Sequence, residues 1–170
     1  MTVMPNPASF DVTSTVDLQE VDNAVNQARK EVAQRYDFKG SKAEIDFDRR
    51  EGVVTLAADD EFKMQALWEV LQTRLVKRHV PVKNLKPGPI ERGANDTVRR
   101  VVTLQQGIPA DTSREIVKFI KNQKLRKVQA AVQGDQLRIS SPSKDDLQLV
   151  MHALGEQDFG LALQFGNYRE

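Results

Sequence analysis

The feature that most constrains this chain is a plan used twice. On either side of Pro81 to Asn95 the same order of periodicities recurs, helix, hairpin and helix, with strand-like segments at the flanks. In the first half, Leu18, Val21, Val25, Ala28 and Val32 fall three or four apart between Asp17 and Arg35, and Asp17 and Glu20 suit a capped first turn. Ile45 and Phe47 then alternate with Glu44, Asp46 and Asp48, and Val53 to Ala57 reads as the partner strand across Arg49-Arg50-Glu51-Gly52. Met64, Leu67, Trp68, Leu71 and Leu75 form a second helical stripe, which must end before Pro81 because the residue preceding a proline avoids helical geometry.

The second half repeats this with other residues. Val98 to Leu104 is strand-like, Pro109 can open a helix whose apolar face is Ile116, Val117 and Ile120, and Val128, Ala130 and Val132 alternate up to a tight turn at Gly134-Asp135. Leu137 and Ile139 return as a strand, Ser143 and Asp146 resemble a capping box ahead of Leu147, Val150, Met151 and Leu154, and Leu161 to Tyr168 reads as the last strand. This alternation predicts an α+β protein of two ferredoxin-like (βαββαβ) modules, each a four-stranded antiparallel sheet with two helices on one face. Pro87, Gly88, Pro89 and Gly93 make Pro81 to Asn95 read as a linker, so the modules are expected at 1–92 and 93–170. The strand near residues 8–14 is left open between the first module and the second, which it would make discontinuous.

Lys and Arg number 25 against 24 Asp and Glu, so no global field attracts a polyanion and any nucleic-acid contact has to come from local patches. Cysteine is absent, which excludes disulfides, thiolate nucleophiles and zinc-thiolate sites and fits a reducing compartment, with the cytoplasm expected. The opening Met1-Thr2-Val3-Met4-Pro5-Asn6-Pro7 lacks the basic and apolar regions of a signal peptide, and no apolar run reaches membrane-spanning length. No membrane partner is expected.

Catalytic patterns are missing: there is no Walker A sequence, no G-x-G-x-x-G and no nucleophile elbow. His79 and His152 have no metal-ligand spacing, and the acidic groups at Asp59 to Glu61 and Asp145-Asp146 sit where helix starts favour negative charge. No enzyme activity, cofactor or metal is therefore expected. Basic residues cluster at two helix ends, Arg74, Lys77 and Arg78 beside His79, and Lys118, Lys121, Lys124, Arg126 and Lys127. Both suit a solvated helix C-terminus, and both suit phosphate binding; they are the candidate nucleotide- or nucleic-acid-binding residues. The hairpin strands Val53 to Ala57 and Leu137 to Ser140 carry no aromatic residue, which disfavours base stacking on the sheets.

The segments Ser9-Phe10-Asp11-Val12, Arg35-Tyr36-Asp37-Phe38-Lys39-Gly40, Gln106-Gly107-Ile108, Gln133-Gly134-Asp135, Lys144-Asp145-Asp146-Leu147-Gln148 and Gln164-Phe165-Gly166-Asn167-Tyr168-Arg169 closely resemble the YajQ family of bacterial nucleotide-binding proteins. The resemblance runs over nearly the whole chain. It implies two ferredoxin-like domains, nucleotide binding with cyclic di-GMP as the ligand of some members, and a regulatory role without catalysis. It also implies RNA or a transcription factor as partners; GTP and ATP are the other nucleotides to consider. The segment Arg35 to Gly40 mixes two aromatics with two cations, a composition that suits ligand contact and equally suits a packed loop.

Overall fold

The computed structural model describes residues 7–125 and 127–170. The expectation about the first residues, for Met1 to Asn6, and that for Arg126 therefore lie outside the described residues.

The described residues divide into two compact units, Val16–Gln106 and a discontinuous one formed by those up to Thr15 and those from Gly107 onward. The inserted unit holds helix α1 (Leu18–Gln34), strands β2 (Glu44–Asp48) and β3 (Val53–Ala58), helix α2 (Glu61–Lys77) and strands β4 (Leu85–Pro87), β5 (Glu91–Arg92) and β6 (Val98–Leu104). Its antiparallel sheet runs β2-β3-β6-β4, with β5 also paired to β6. The discontinuous unit holds β1 (Ala8–Thr13), helix α3 (Ala110–Asn122), β7 (Gln129–Gln133), β8 (Gln136–Ser141), helix α4 (Lys144–Glu156) and β9 (Gln164–Arg169), in a sheet of order β7-β8-β1-β9.

Both are ferredoxin-like modules, reached by an exchange. In chain order each half begins with a strand, β1 or β6, but β1 lies between β8 and β9 while β6 lies beside β3. The division thus falls at Gln106, later than the expected position after residue 92. The physical reason is that Pro81 to Asn95 is not a free linker. Leu85 to Pro87 pair with Val102 to Leu104, and Glu91 and Arg92 pair with Val98 and Arg99. Proline is compatible with an edge strand, which can leave an N–H position unpaired, and Gly88 donates its N–H to the Val101 carbonyl at 2.8 Å. A side chain at Gly88 would bring its Cβ to 3.1 Å from that same oxygen.

Each unit has its own core. In the inserted unit, Val21, Ala24, Val25 and Ala28 of α1 and Met64, Leu67, Leu71 and Leu75 of α2 cover Val54, Leu56 and Val102 of the sheet. Burying each of the larger side chains stabilises by about 1.5–3 kcal/mol. In the other unit Phe10 and Val12 of β1 meet Ile116, Ile120, Leu137, Ile139, Leu147, Val150 and Leu154, and Phe10 makes an edge-on contact with Phe165 at 5.7 Å between ring centres.

The helix starts follow their sequence signals. Asp17 accepts from the Gln19 N–H at 3.0 Å, Asp60 from Lys63 at 2.8 Å and Ser143 from Asp146 at 3.2 Å. The two ends of the inserted unit close on each other through one glutamine: Val16 N–H donates to Gln106 Oε1, and Gln106 Nε2 donates to the Val16 carbonyl, both at 2.7 Å. Among the described residues, no helix is long and apolar enough to cross a membrane.

Candidate functional site

The Arg35 to Gly40 segment is a turn with one aromatic inside and one outside. α1 stops because Arg35 takes up an extended conformation, and a single 3-10 turn, Tyr36–Phe38, follows. Phe38 enters the core, whereas Tyr36 stands 88% exposed. Gly40 turns the chain toward β2 with a φ of +74°, a left-handed conformation that costs glycine little. Ser41 N–H donates back to the Phe38 carbonyl at 3.0 Å and closes the loop.

The charges around this turn are ordered rather than loose. Arg35 grips Asp37 with two donors, Nε to Oδ1 at 3.0 Å and a terminal nitrogen to Oδ2 at 2.7 Å, while its guanidinium lies 5.2 Å from the centre of the Phe38 ring. Lys63, from the first turn of α2, donates to the Asp37 carbonyl and approaches the same ring at 5.6 Å. The hydrogen bond from Arg35 holds the Asp37 carboxyl below the usual range, and the same bond raises Arg35. A depression of about 440 Å³ lies against this turn, lined by residues that include Val32, Arg35, Tyr36, Lys39 and Ser41. With Arg35 engaged by Asp37, the exposed cation on its rim is Lys39. An exposed aromatic face beside a lysine can stack a base and neutralise its phosphate.

The two basic clusters fall on different units and fare differently. Arg74 pairs with Glu31 at 2.5 Å, and Arg78 reaches Gln27 at 3.3 Å and Glu20 at 3.4 Å, so both guanidinium groups fasten α2 to α1. Lys77 is exposed. On the other unit Lys118, Lys121, Lys124 and Lys127 are exposed and, among the described residues, form no ion pair. Lys118 and Lys121 are one turn apart on α3, and Lys124 follows the helix in a left-handed conformation, φ +59°.

A further charged group had no sequence signal, because its members lie far apart in the chain. Asp11, at the centre of β1, points to the sheet face opposite the helices, where its Oδ1 accepts from Arg138 Nε at 3.1 Å and its Oδ2 from Asn167 Nδ2 at 2.7 Å. Arg169 stands 3.7 Å from Oδ2. An irregularity in the pairing of β1 with β9 adds a residue on the β9 side, and Asn167 there has φ +53°. Burial pushes the Asp11 carboxyl up, but the hydrogen bonds from Asn167 and Arg138 and the charges of both arginines outweigh it, and the group lies below its ordinary value.

Among the described residues, no group of three or more His, Asp or Glu side chains is placed to hold a metal ion. His152 pairs with Glu156 on the exposed side of α4 at 3.1 Å.

Comparison with known proteins gives one consistent result. The family model described as nucleotide-binding protein YajQ-like matches residues 8–169. A nucleotide-binding protein of Carboxydothermus hydrogenoformans is 48% identical over 166 residues, covering 98% of this chain and 100% of the relative. One from Elusimicrobium minutum is 46% identical over 161 residues, covering 95% and 98%. A nucleotide-binding protein of Bacillus cereus is 48% identical over 166 residues, again covering 98% and 100%.

Proposed function

The chain belongs to the YajQ-like family of nucleotide-binding proteins, and from that premise we propose that it is a cytoplasmic nucleotide receptor with cyclic di-GMP as its foremost ligand, acting on a partner such as a transcription factor without catalysis. GTP and ATP are the competing ligands. The observation that carries this reading is the Tyr36 turn, where a fully presented ring and Lys39 border a depression of about 440 Å³. A tyrosine ring left in water exposes apolar surface with no folding benefit, whereas under a purine it gains about 1–3 kcal/mol of stacking. Arg35, Asp37 and Lys63 hold the backbone of the turn in place beforehand, so little ordering cost remains for a ligand.

Calorimetric titration of the whole chain with cyclic di-GMP, GTP and ATP tests this. The expected result is saturable binding of one of them, weakened about tenfold or more by Tyr36→Ala, since each 1.4 kcal/mol is a factor of ten. Absence of heat with all three removes the receptor reading, and unchanged affinity in Tyr36→Ala moves the site elsewhere.

A second reading, RNA binding, is favoured by the unpaired lysines at the end of α3. Lys118, Lys121, Lys124 and Lys127, with Arg126 in the same stretch, would contact phosphates, and Lys77 would be the remaining contributor from the first cluster. RNA affinity should then fall steeply with salt, and replacing Lys121 by alanine should reduce the logarithmic salt slope by about one. Binding indifferent to salt excludes it.

A further inference from the structure

Arg138 and Arg169 come from strands on either side of β1, and both reach the carboxylate of Asp11 between them. The arrangement is unbalanced. Two guanidinium charges face one carboxylate, and that carboxylate is already satisfied without Arg169, because one oxygen takes Arg138 Nε and the other takes the Asn167 amide. The acidic neighbour of Arg169 in the chain does not cancel the surplus, since Glu170 is paired with Lys144 at 3.0 Å.

The two arginines also keep donors to spare. Each guanidinium carries five N–H groups in a planar fork. Arg138 spends its Nε on Asp11, and Arg169 meets Asp11 at 3.7 Å, a charge contact too long for a hydrogen bond. Their side chains remain 34% and 42% exposed, while that of Asp11 is only 9% exposed, so the carboxylate lies beneath the cations instead of competing at the surface. The same sheet face presents Ser9, Thr13, Gln136 and Ser140, which add hydroxyl and amide groups and no further charge.

We propose that Arg138 and Arg169, oriented by Asp11 and Asn167, form a phosphate-binding site on the helix-free face of the β7-β8-β1-β9 sheet. Two forks approaching from neighbouring strands suit a tetrahedral anion with several oxygens, and the net charge of +1 left by the cluster suits its negative charge. Asp11 is a positioning residue here: it fixes the two guanidinium groups and is kept from the ligand by them. The site belongs to a different unit from the Tyr36 turn, and the two proposals stand or fall independently.

The test is titration of the whole isotopically labelled chain with inorganic phosphate, followed through the Nε–H signals of arginine and the backbone amides. Saturable shifts are expected at Arg138, Arg169 and Asp11, with phosphate affinity at least about tenfold weaker in Arg169→Gln and in Arg138→Gln, as loss of a charged hydrogen bond implies. Arg169 is exposed near the end of β9, so Arg169→Gln keeps the fold, which its amide spectrum verifies. Arg114→Gln, at an exposed position of α3, should leave the phosphate response of Arg138 and Arg169 unchanged. A wild-type chain with no saturable shift at these residues overturns the proposal, as does a folded Arg169→Gln chain that binds phosphate as well as wild type.

Discussion

The helix-free faces of the two sheets share one strand order and differ in what they present. In the inserted unit, Glu44, Asp46 and Asp48 line the edge strand, and Val53, Thr55, Ala57, Arg99, Val101 and Thr103 share the middle. In the discontinuous unit the middle is polar: Ser9 and Asp11 on β1 face Ser140 and Arg138 on β8. The first face carries three carboxylates along its edge and a single arginine, Arg99, among small and apolar side chains at its centre, while the second sets one carboxylate, Asp11, between Arg138 and Arg169 of the flanking strands. Topology decides that such a face exists; the alternate residues of its central strands decide what can lie on it. The exchange of first strands matters for this, since it is β1, with its Ser9 and Asp11, that enters the second sheet.

The largest expected effect breaks the two units apart energetically. Phe10→Ala empties a fully buried position in the central strand of the discontinuous unit and should cost about 3–5 kcal/mol, whereas Leu56→Ala should cost about 2–5 kcal/mol in the inserted one. Native-state hydrogen exchange should show the loss of protection in residues 107–170 for the first variant and in residues 16–106 for the second. Protection lost equally in both units by either variant would mean that they unfold as one body.

Acid separates the two faces next. Asp11 has its carboxyl lowered in the folded chain, so it stabilises fully above its unfolded value near 3.8 and loses that contribution as pH falls through the lower folded value. Wild type should therefore exceed Asp11→Asn in stability at neutral pH, with the gap closing below about pH 4 in chemical denaturation. A gap independent of pH would show that the carboxylate charge contributes nothing.

Smaller effects sharpen the likeness of the units. Asp60→Ala and Ser143→Ala each remove the side-chain acceptor at the start of the second helix of a unit, and each should cost about 1 kcal/mol by denaturant midpoint. The smallest change belongs to Arg74→Ala. Its pair with Glu31 is about 30% exposed on both sides, so solvent screening limits the electrostatic loss to about 1 kcal/mol or less. A larger loss would assign Arg74 a packing role between α1 and α2.

Much of the candidate chemistry was visible in the sequence only as residue types. The Arg35 to Gly40 segment mixes aromatics with cations, a composition that does not fix which ring faces water. Phe38 went inward because a single 3-10 turn puts its side chain toward the core, leaving Tyr36 outside. Arg74 and Arg78 belong to a basic helix end that by composition suits phosphate as well as water, but residues four apart share a helix face, and that face meets Glu31, Gln27 and Glu20 of α1. The Asp11 cluster was invisible because Arg138 and Asn167 are 127 and 156 positions away from Asp11.

Local rules were enough for the parts of the fold whose causes are local. The 3.6-residue apolar stripes, the alternation in β2, β3 and β8, the capping side chains and the Gly134 turn are all written within a few neighbouring residues, and the sequence determined them. Sheet membership was a different matter. A strand carries the same alternating pattern whichever partner it pairs with, so only long-range packing could place β1 between β8 and β9, hand β6 to β3, and bring two arginines to one buried carboxylate.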